Sequence, residues 1–109
     1  MNDHCLVLIG SSPTSGKAMS NLNLMRQLSA AGQAVQVCLL QDGVLAGLDA
    51  GWANTLRTEA PGVAIGALEE DLALRGFGVS DLAPAVGHLD YGGLVQAMLG
   101  DGVHVLGVL

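Results

Sequence analysis

What most narrows the choice of fold is a series of short, largely apolar runs, each flanked by turn formers. His4–Gly10, Ala34–Leu40, Val63–Ile65 and Val103–Val108 are these runs. A strand with one face in water alternates apolar and polar residues, whereas a strand covered on both faces is apolar throughout, as in a parallel sheet. Between the runs the period changes. Ala18, Leu22, Met25 and Leu28 recur at steps of three and four before Gly32, the spacing of one helical face. Leu94, Val95, Met98 and Leu99 share one side of a second helix over Asp90–Leu99, and Asp90 is placed to cap it.

A third helix is read over Ala67–Gly76, ALEEDLALRG. Leu68 and Leu72 are four apart, Glu69 and Glu70 lie in the first turn where the helix dipole favours negative charge, and Asp71 is spaced to pair with Arg75. Gly76, free to adopt the left-handed conformation, stops it. Val44–Glu59 carries a weaker signal: a short helix over Val44–Leu48, then a turn and a second helical piece. Phe77–Gly87 reads as loop, with one turn of helix at Asp81–Ala83. Strand and helix thus alternate along the chain, which predicts an α/β protein: a three-layer α/β/α sandwich, Rossmann-like or flavodoxin-like, on a mainly parallel sheet of four to five strands. At 109 residues it is one domain, residues 1–109.

Composition removes several function classes. The four cations, Lys17, Arg26, Arg57 and Arg75, are scattered in a chain of net charge -6, so direct nucleic-acid binding, which needs clustered phosphate-neutralising groups, is not expected. The longest uninterrupted apolar run, Cys5–Ile9, is far too short to span a bilayer, and Asp3 stands where a secretory leader carries basic residues. No membrane association is expected, and the chain reads as cytoplasmic. Hydrophobic residues make up 50% against 13% charged, which favours an oligomer that covers part of the apolar surface.

Ligands on parallel sheets sit at the carboxyl ends of the strands. The loop Gly10–Lys17 joins a strand to a helix and ends in Gly-Lys, but its glycines are one residue too far apart for a phosphate-binding P-loop, and Ala18 replaces the magnesium-binding hydroxyl. Two readings remain: an anion site built from Ser11, Ser12, Ser15 and Lys17 at a helix start, or a capped loop that binds nothing. Gln41-Asp42-Gly43-Val44 is a turn after the second strand, with Asp42 placed to cap the next segment. His4, His88 and His104 have no second ligand at metal-binding spacing, so neither a metal nor any other cofactor is expected. Of the two cysteines, Cys38 lies late in its strand, at the end where chemistry belongs, and Cys5 at the opposite end of its own. Each is either a small buried hydrophobe or a reactive thiol, and Cys38 is the better candidate.

Four stretches together resemble the DsrE/DsrF/DsrH family of small sulfur-relay proteins and the related TusB, TusC and TusD: Gly10-Ser11-Ser12-Pro13, Leu39–Val44, Ala67–Gly76, and Asp90-Tyr91-Gly92-Gly93-Leu94-Val95. The last two look most like the DsrH or TusB branch. The resemblance implies a compact α/β/α fold, assembly with copies of itself or with related sulfur-relay subunits, and persulfide handed between cysteines, with tRNA thio-modification or sulfur oxidation downstream. In the DsrE or TusD branch the sulfur-accepting cysteine lies near the start of the helix ending in Arg-Gly. Here that stretch is Gly66-Ala67-Leu68-Glu69, without a thiol, so the reading is a non-catalytic subunit or scaffold. The alternatives are a sulfur carrier using Cys38 and a small-molecule or anion-binding module.

Overall fold

Every apolar run becomes a strand, and every strand pairing is parallel. The computed structural model describes residues 4–108. In chain order these form β1 (His4–Ile9), α1 (Ala18–Ala30), β2 (Ala34–Leu39), a 3-10 helix (Gln41–Leu48), α2 (Ala50–Glu59), β3 (Ala64–Leu68), α3 (Glu69–Leu74), a 3-10 turn (Val79–Asp81), β4 (Gly87–Leu89), α4 (Tyr91–Met98) and β5 (Val103–Val108). The sheet order is β4-β3-β2-β1-β5.

That order fixes the layers. From β1 to β4 the chain steps along the sheet in one direction, so right-handed crossovers put their helices on one face; the step from β4 to β5 reverses and places its helix on the other. The core divides accordingly. Val7, Ile9, Val37, Leu39 and Ala67 point to the face packed by Met25 of α1, Leu56 of α2 and Leu72 of α3. Their strand neighbours Leu6, Cys38 and Leu68 point to the opposite face, packed by Leu94 of α4, as the two-residue period of a strand requires. Among the described residues, one side of the sheet therefore carries α1, α2 and α3 and the other carries α4.

The helix ends follow their glycines. Gly32 and Gly76 have φ of +80° and +83°. The amide of Phe77 donates to the carbonyl of Leu72 (3.0 Å) and that of Gly76 to Ala73 (3.1 Å), a Schellman closure that satisfies carbonyls the helix leaves free. Asp90 caps α4 as its position implied, its Oδ1 accepting from the Gly93 amide at 2.8 Å.

Several expectations are corrected. The helix read over Ala67–Gly76 begins only at Glu69, because Ala67 and Leu68 continue β3: Ala67 registers with Leu39 and His88, and Leu68 with Leu89. Leu68 and Leu72 are both buried, but on opposite faces of the sheet, so their i, i+4 spacing imitated a helical face they do not share. The third strand correspondingly runs Ala64–Leu68 and not Val63–Ile65. His88 and Leu89 form the short edge strand β4 where a loop was expected, and the single helical turn falls at Val79–Asp81 instead of Asp81–Ala83. Arg75 does not pair with the Asp71 carboxylate: its Nη1 donates to the Asp71 backbone carbonyl (3.1 Å), while Nε and Nη2 reach Asp42 Oδ1 (3.1 and 3.0 Å). Asp42 is thereby committed to Arg75 and caps nothing; Leu40 is the N-cap of the 3-10 helix. Finally, β5 has the composition of a strand covered on both faces, yet His104 to Gly107 are exposed.

Candidate functional site

The carboxyl ends of β1 to β4 form one ledge, and nearly every candidate residue lies on it or just beneath. At the β1 end the serines are engaged by their own loop and by α1. Ser11 Oγ accepts from Asn21 Nδ2 (3.4 Å), Ser12 Oγ lies 3.0 Å from Thr14 Oγ1, and Ser15 Oγ accepts from the Lys17 amide (3.3 Å). Lys17 is itself the N-cap residue of α1, in helical conformation and without a side-chain cap. The cleft beside this loop, lined by Ser11, Ser12, Pro13, Asn21 and Trp52, encloses about 10 Å³, the volume of about one water. Its hydroxyls are thus turned inward on the loop, in the manner of ST-turns that stabilise backbone.

At the β2 end the chain makes its tightest approach. An added Cβ at Gly43 would lie 2.1 Å from the carbonyl oxygen of Ile9, so only glycine lets the turn pack on the end of β1. Gln41 has φ of +52°, a conformation costly for a residue with a side chain. Its amide donates to Asp71 Oδ2 at 2.6 Å, a charge-assisted bond that ties the turn to α3.

The acidic run at the start of α3 is distributed over three partners, as consecutive helical residues must be. Glu69 Oε2 lies 2.8 Å from His88 Nδ1, both side chains being roughly half exposed. Glu70 Oε2 accepts from the Tyr91 amide at the start of α4 (3.1 Å), and its Oε1 is buried with no hydrogen-bond partner. Asp71 is buried against Gln41. The three carboxylates latch α3 to β4, to α4 and to the β2 turn, and no two of them face each other across a cleft. The local pattern reads Glu69 and Glu70 as a solvated first turn; their partners are 19 and 21 residues away, beyond the reach of any such pattern.

The thiols lie in the strands. Cys38 is wholly buried among Leu6, Leu68 and Leu94, and burial, with a smaller contribution from the Asp71 charge, pushes its pKa from 9.0 up to about 11. The thiolate is the nucleophilic form of a cysteine, and this environment disfavours it. Cys5 is buried near the amino end of β1, its Sγ 3.9 Å from Gln33 Oε1. The start of α3 holds Leu68, packed in the core, and Glu69, bound to His88. Among the described residues no group of three or more His, Cys, Asp or Glu is arranged to hold a metal ion, and no helix is long and apolar enough to cross a membrane.

A family model described as DsrH-like protein matches residues 14–103, a span that takes in three of the four stretches carrying the resemblance and leaves out Gly10-Ser11-Ser12-Pro13. Among solved structures the chain is similar to the YchN protein from Escherichia coli, with 19% identity and a TM-score of 0.79 over 96% of this chain and 98% of that one. It is also similar to MTH1491 from Methanobacterium thermoautotrophicum, described as a protein of unknown function, with 18% identity and a TM-score of 0.77 over 96% and 99%. At these identities the likeness establishes the five-stranded α/β fold. No curated protein matches the chain at a significant level.

Proposed function

The chain belongs to the DsrH-like family, and from that premise we propose that it acts as a non-catalytic subunit or scaffold of a sulfur-relay assembly, contributing structure where its partners contribute the thiol. The observation that carries this reading is the position of sulfur: both cysteines are buried in strands, and the start of α3 holds Leu68 and Glu69. A persulfide relay needs an accessible cysteine of lowered pKa, preferably at a helix N-terminus. Cys38 has the opposite environment, raised by burial to about 11. Latching of the ledge by Asp71, Glu69 and Glu70 agrees with a structural part, since all three carboxylates are engaged in holding α3 to its neighbours. The partners are copies of this chain or related subunits in a cytoplasmic setting, with tRNA thio-modification or sulfur oxidation as the downstream use.

Mass spectrometry of the native protein after incubation with a persulfide donor tests this. The expected result is an unmodified chain. A stoichiometric gain of sulfur on Cys38, abolished by Cys38→Ser, overturns the reading and makes the protein a sulfur carrier.

A further inference from the structure

Beside the loop that follows β1, two hollows adjoin. The inner one is the cleft of about 10 Å³ that Ser11 and Asn21 line together with Trp52. The outer one is a slot of about 130 Å³ walled by Ala18, Met19 and Leu22 of α1 and by Trp52 and Thr55 of α2. Ala18 and Trp52 border both. Thr55 spends its hydroxyl on the Gly51 carbonyl (2.9 Å), so the slot presents hydrocarbon, a thioether and an indole. Its size is close to that of the engineered cavity of roughly 150 Å³ that takes up benzene.

The inner cleft ends on a buried polar group that the protein leaves half satisfied. Asn21 is 8% exposed, yet its Nδ2 makes one long bond, to Ser11 Oγ at 3.4 Å, and its Oδ1 has no hydrogen-bond partner among the described residues. Exchanging the amide O and N changes nothing in this count: one end of a buried carboxamide faces the cleft unpaired, a state that costs stability unless water or a ligand relieves it. Ser11 Oγ accepts from Asn21 and keeps its own O–H to donate. The cleft thus offers an acceptor and a donor side by side, and among the described residues no charged side chain lines either hollow. It reaches Ile9 at the carboxyl end of β1, the strand flanked by β2 on one side and β5 on the other, where the crossovers change faces and parallel sheets take ligands.

We propose that the two hollows together bind a small uncharged molecule made of one flat ring and a carboxamide. The ring lies in the slot against Trp52, and the amide enters the cleft, displaces its water, donates to Asn21 Oδ1 and accepts from the Ser11 hydroxyl. The slot's volume sets the ring count at one, and the cleft's volume admits one polar group. A ligand charge would be desolvated with nothing to pair it. The site stands apart from the carboxylate ledge of α3 and does not rest on the subunit reading, so sulfur loading on a cysteine would leave it in place.

The experiment is a titration of the full chain with benzamide, followed by NMR. Trp52 is the only tryptophan and gives a single indole N–H signal that reports the slot. Its shift is expected to saturate with a dissociation constant of about 1 mM or tighter. Acetophenone, which replaces the amide nitrogen by a methyl group and so cannot donate to Asn21, should bind about three- to tenfold more weakly, and benzoate and benzylamine, both charged at pH 7, more weakly still. Asn21→Leu, of similar shape, should erase the preference for benzamide over acetophenone. Thr55→Phe, at an exposed position, fills the slot and should abolish binding of both, with circular dichroism confirming that each variant is folded. No saturable shift below about 10 mM benzamide, binding that survives Thr55→Phe, or a wild type that holds acetophenone or benzoate as well as benzamide overturns the inference. Should Asn21→Leu fail to fold, the ligand series on the wild type and Thr55→Phe decide the matter alone.

Discussion

Cys38 allows the scaffold reading to be tested quantitatively without any partner. Its thiol is fully buried and its pKa lies at about 11 instead of 9.0. The sign follows from linkage: a pKa raised on folding means that the protonated thiol contributes stability below pH 9 and that this contribution is lost as the pH rises through 11. Two pH units correspond to roughly 3 kcal/mol between those limits. Cys38→Ala removes the titrating group at the cost of a small cavity, so it should be less stable than the wild type by about 1–2 kcal/mol at pH 7. The gap should close and then reverse as the pH approaches 11. Urea denaturation of both proteins at pH 7, 9, 10 and 11 gives the difference directly, because every other group is common to both. The same shift makes the thiolate about a hundredfold rarer at pH 7 than in an ordinary cysteine, so alkylation of the native protein by iodoacetamide should be at least that much slower than in urea. A stability gap that does not change with pH, or alkylation at the rate of a free thiol, would refute the account of Cys38 as an inert core residue.

Gly43→Ala should destabilise the chain by more than about 3 kcal/mol, since the new methyl would lie 2.1 Å from the Ile9 carbonyl oxygen and backbone must move; thermal denaturation reads this, and a neutral result would show the turn to be loose. Asp71→Asn should cost about 1–3 kcal/mol by weakening the charge-assisted bond to Gln41. Because burial is the larger cause of the Cys38 shift, the same variant should lower that thiol's pKa without returning it to 9.0, as measured by the pH profile of alkylation. Leu68→Ala should cost about 2–5 kcal/mol, against less than about 0.5 kcal/mol for Glu69→Gln, whose hydrogen bond with His88 is half exposed; comparable effects in urea melts would contradict the burial of Leu68.

The architecture was legible because it is written in periodicity. The continuous apolar runs at residues 4–10 and 34–40 mark strands with both faces covered, and the helical spacing up to Leu28 and after Asp90 marks what covers them. The boundary between β3 and α3 was not legible, for a definite reason: Leu68 and Leu72 are buried on opposite sides of the sheet, and burial alone, four residues apart, has the signature of a helix. β4 escaped notice because three residues hold no period, and its existence depends on a ladder to β3 that local sequence does not encode. At the site, the burial of Cys38 is foreshadowed by its apolar neighbours Val37, Leu39 and Leu40. The latches from Asp71 to Gln41 and from Glu69 to His88 span 30 and 19 residues, and only the fold brings them together.

The sheet order also governs how the chain is completed during synthesis. β1 is a central strand, but its two neighbours reach it at very different times: β2 registers His4 with Ala34, whereas β5 registers His4 with Val103. At about 5–20 residues per second, one side of β1 stays bare for roughly 5–20 s after the strand has been made. Throughout that interval the nascent domain presents Leu6, Val7 and Leu8 on an open backbone edge, the kind of edge that recruits other chains. Substitutions in β5 that weaken its docking should therefore reduce the yield of soluble protein more than they reduce the melting temperature of the molecules that succeed in folding.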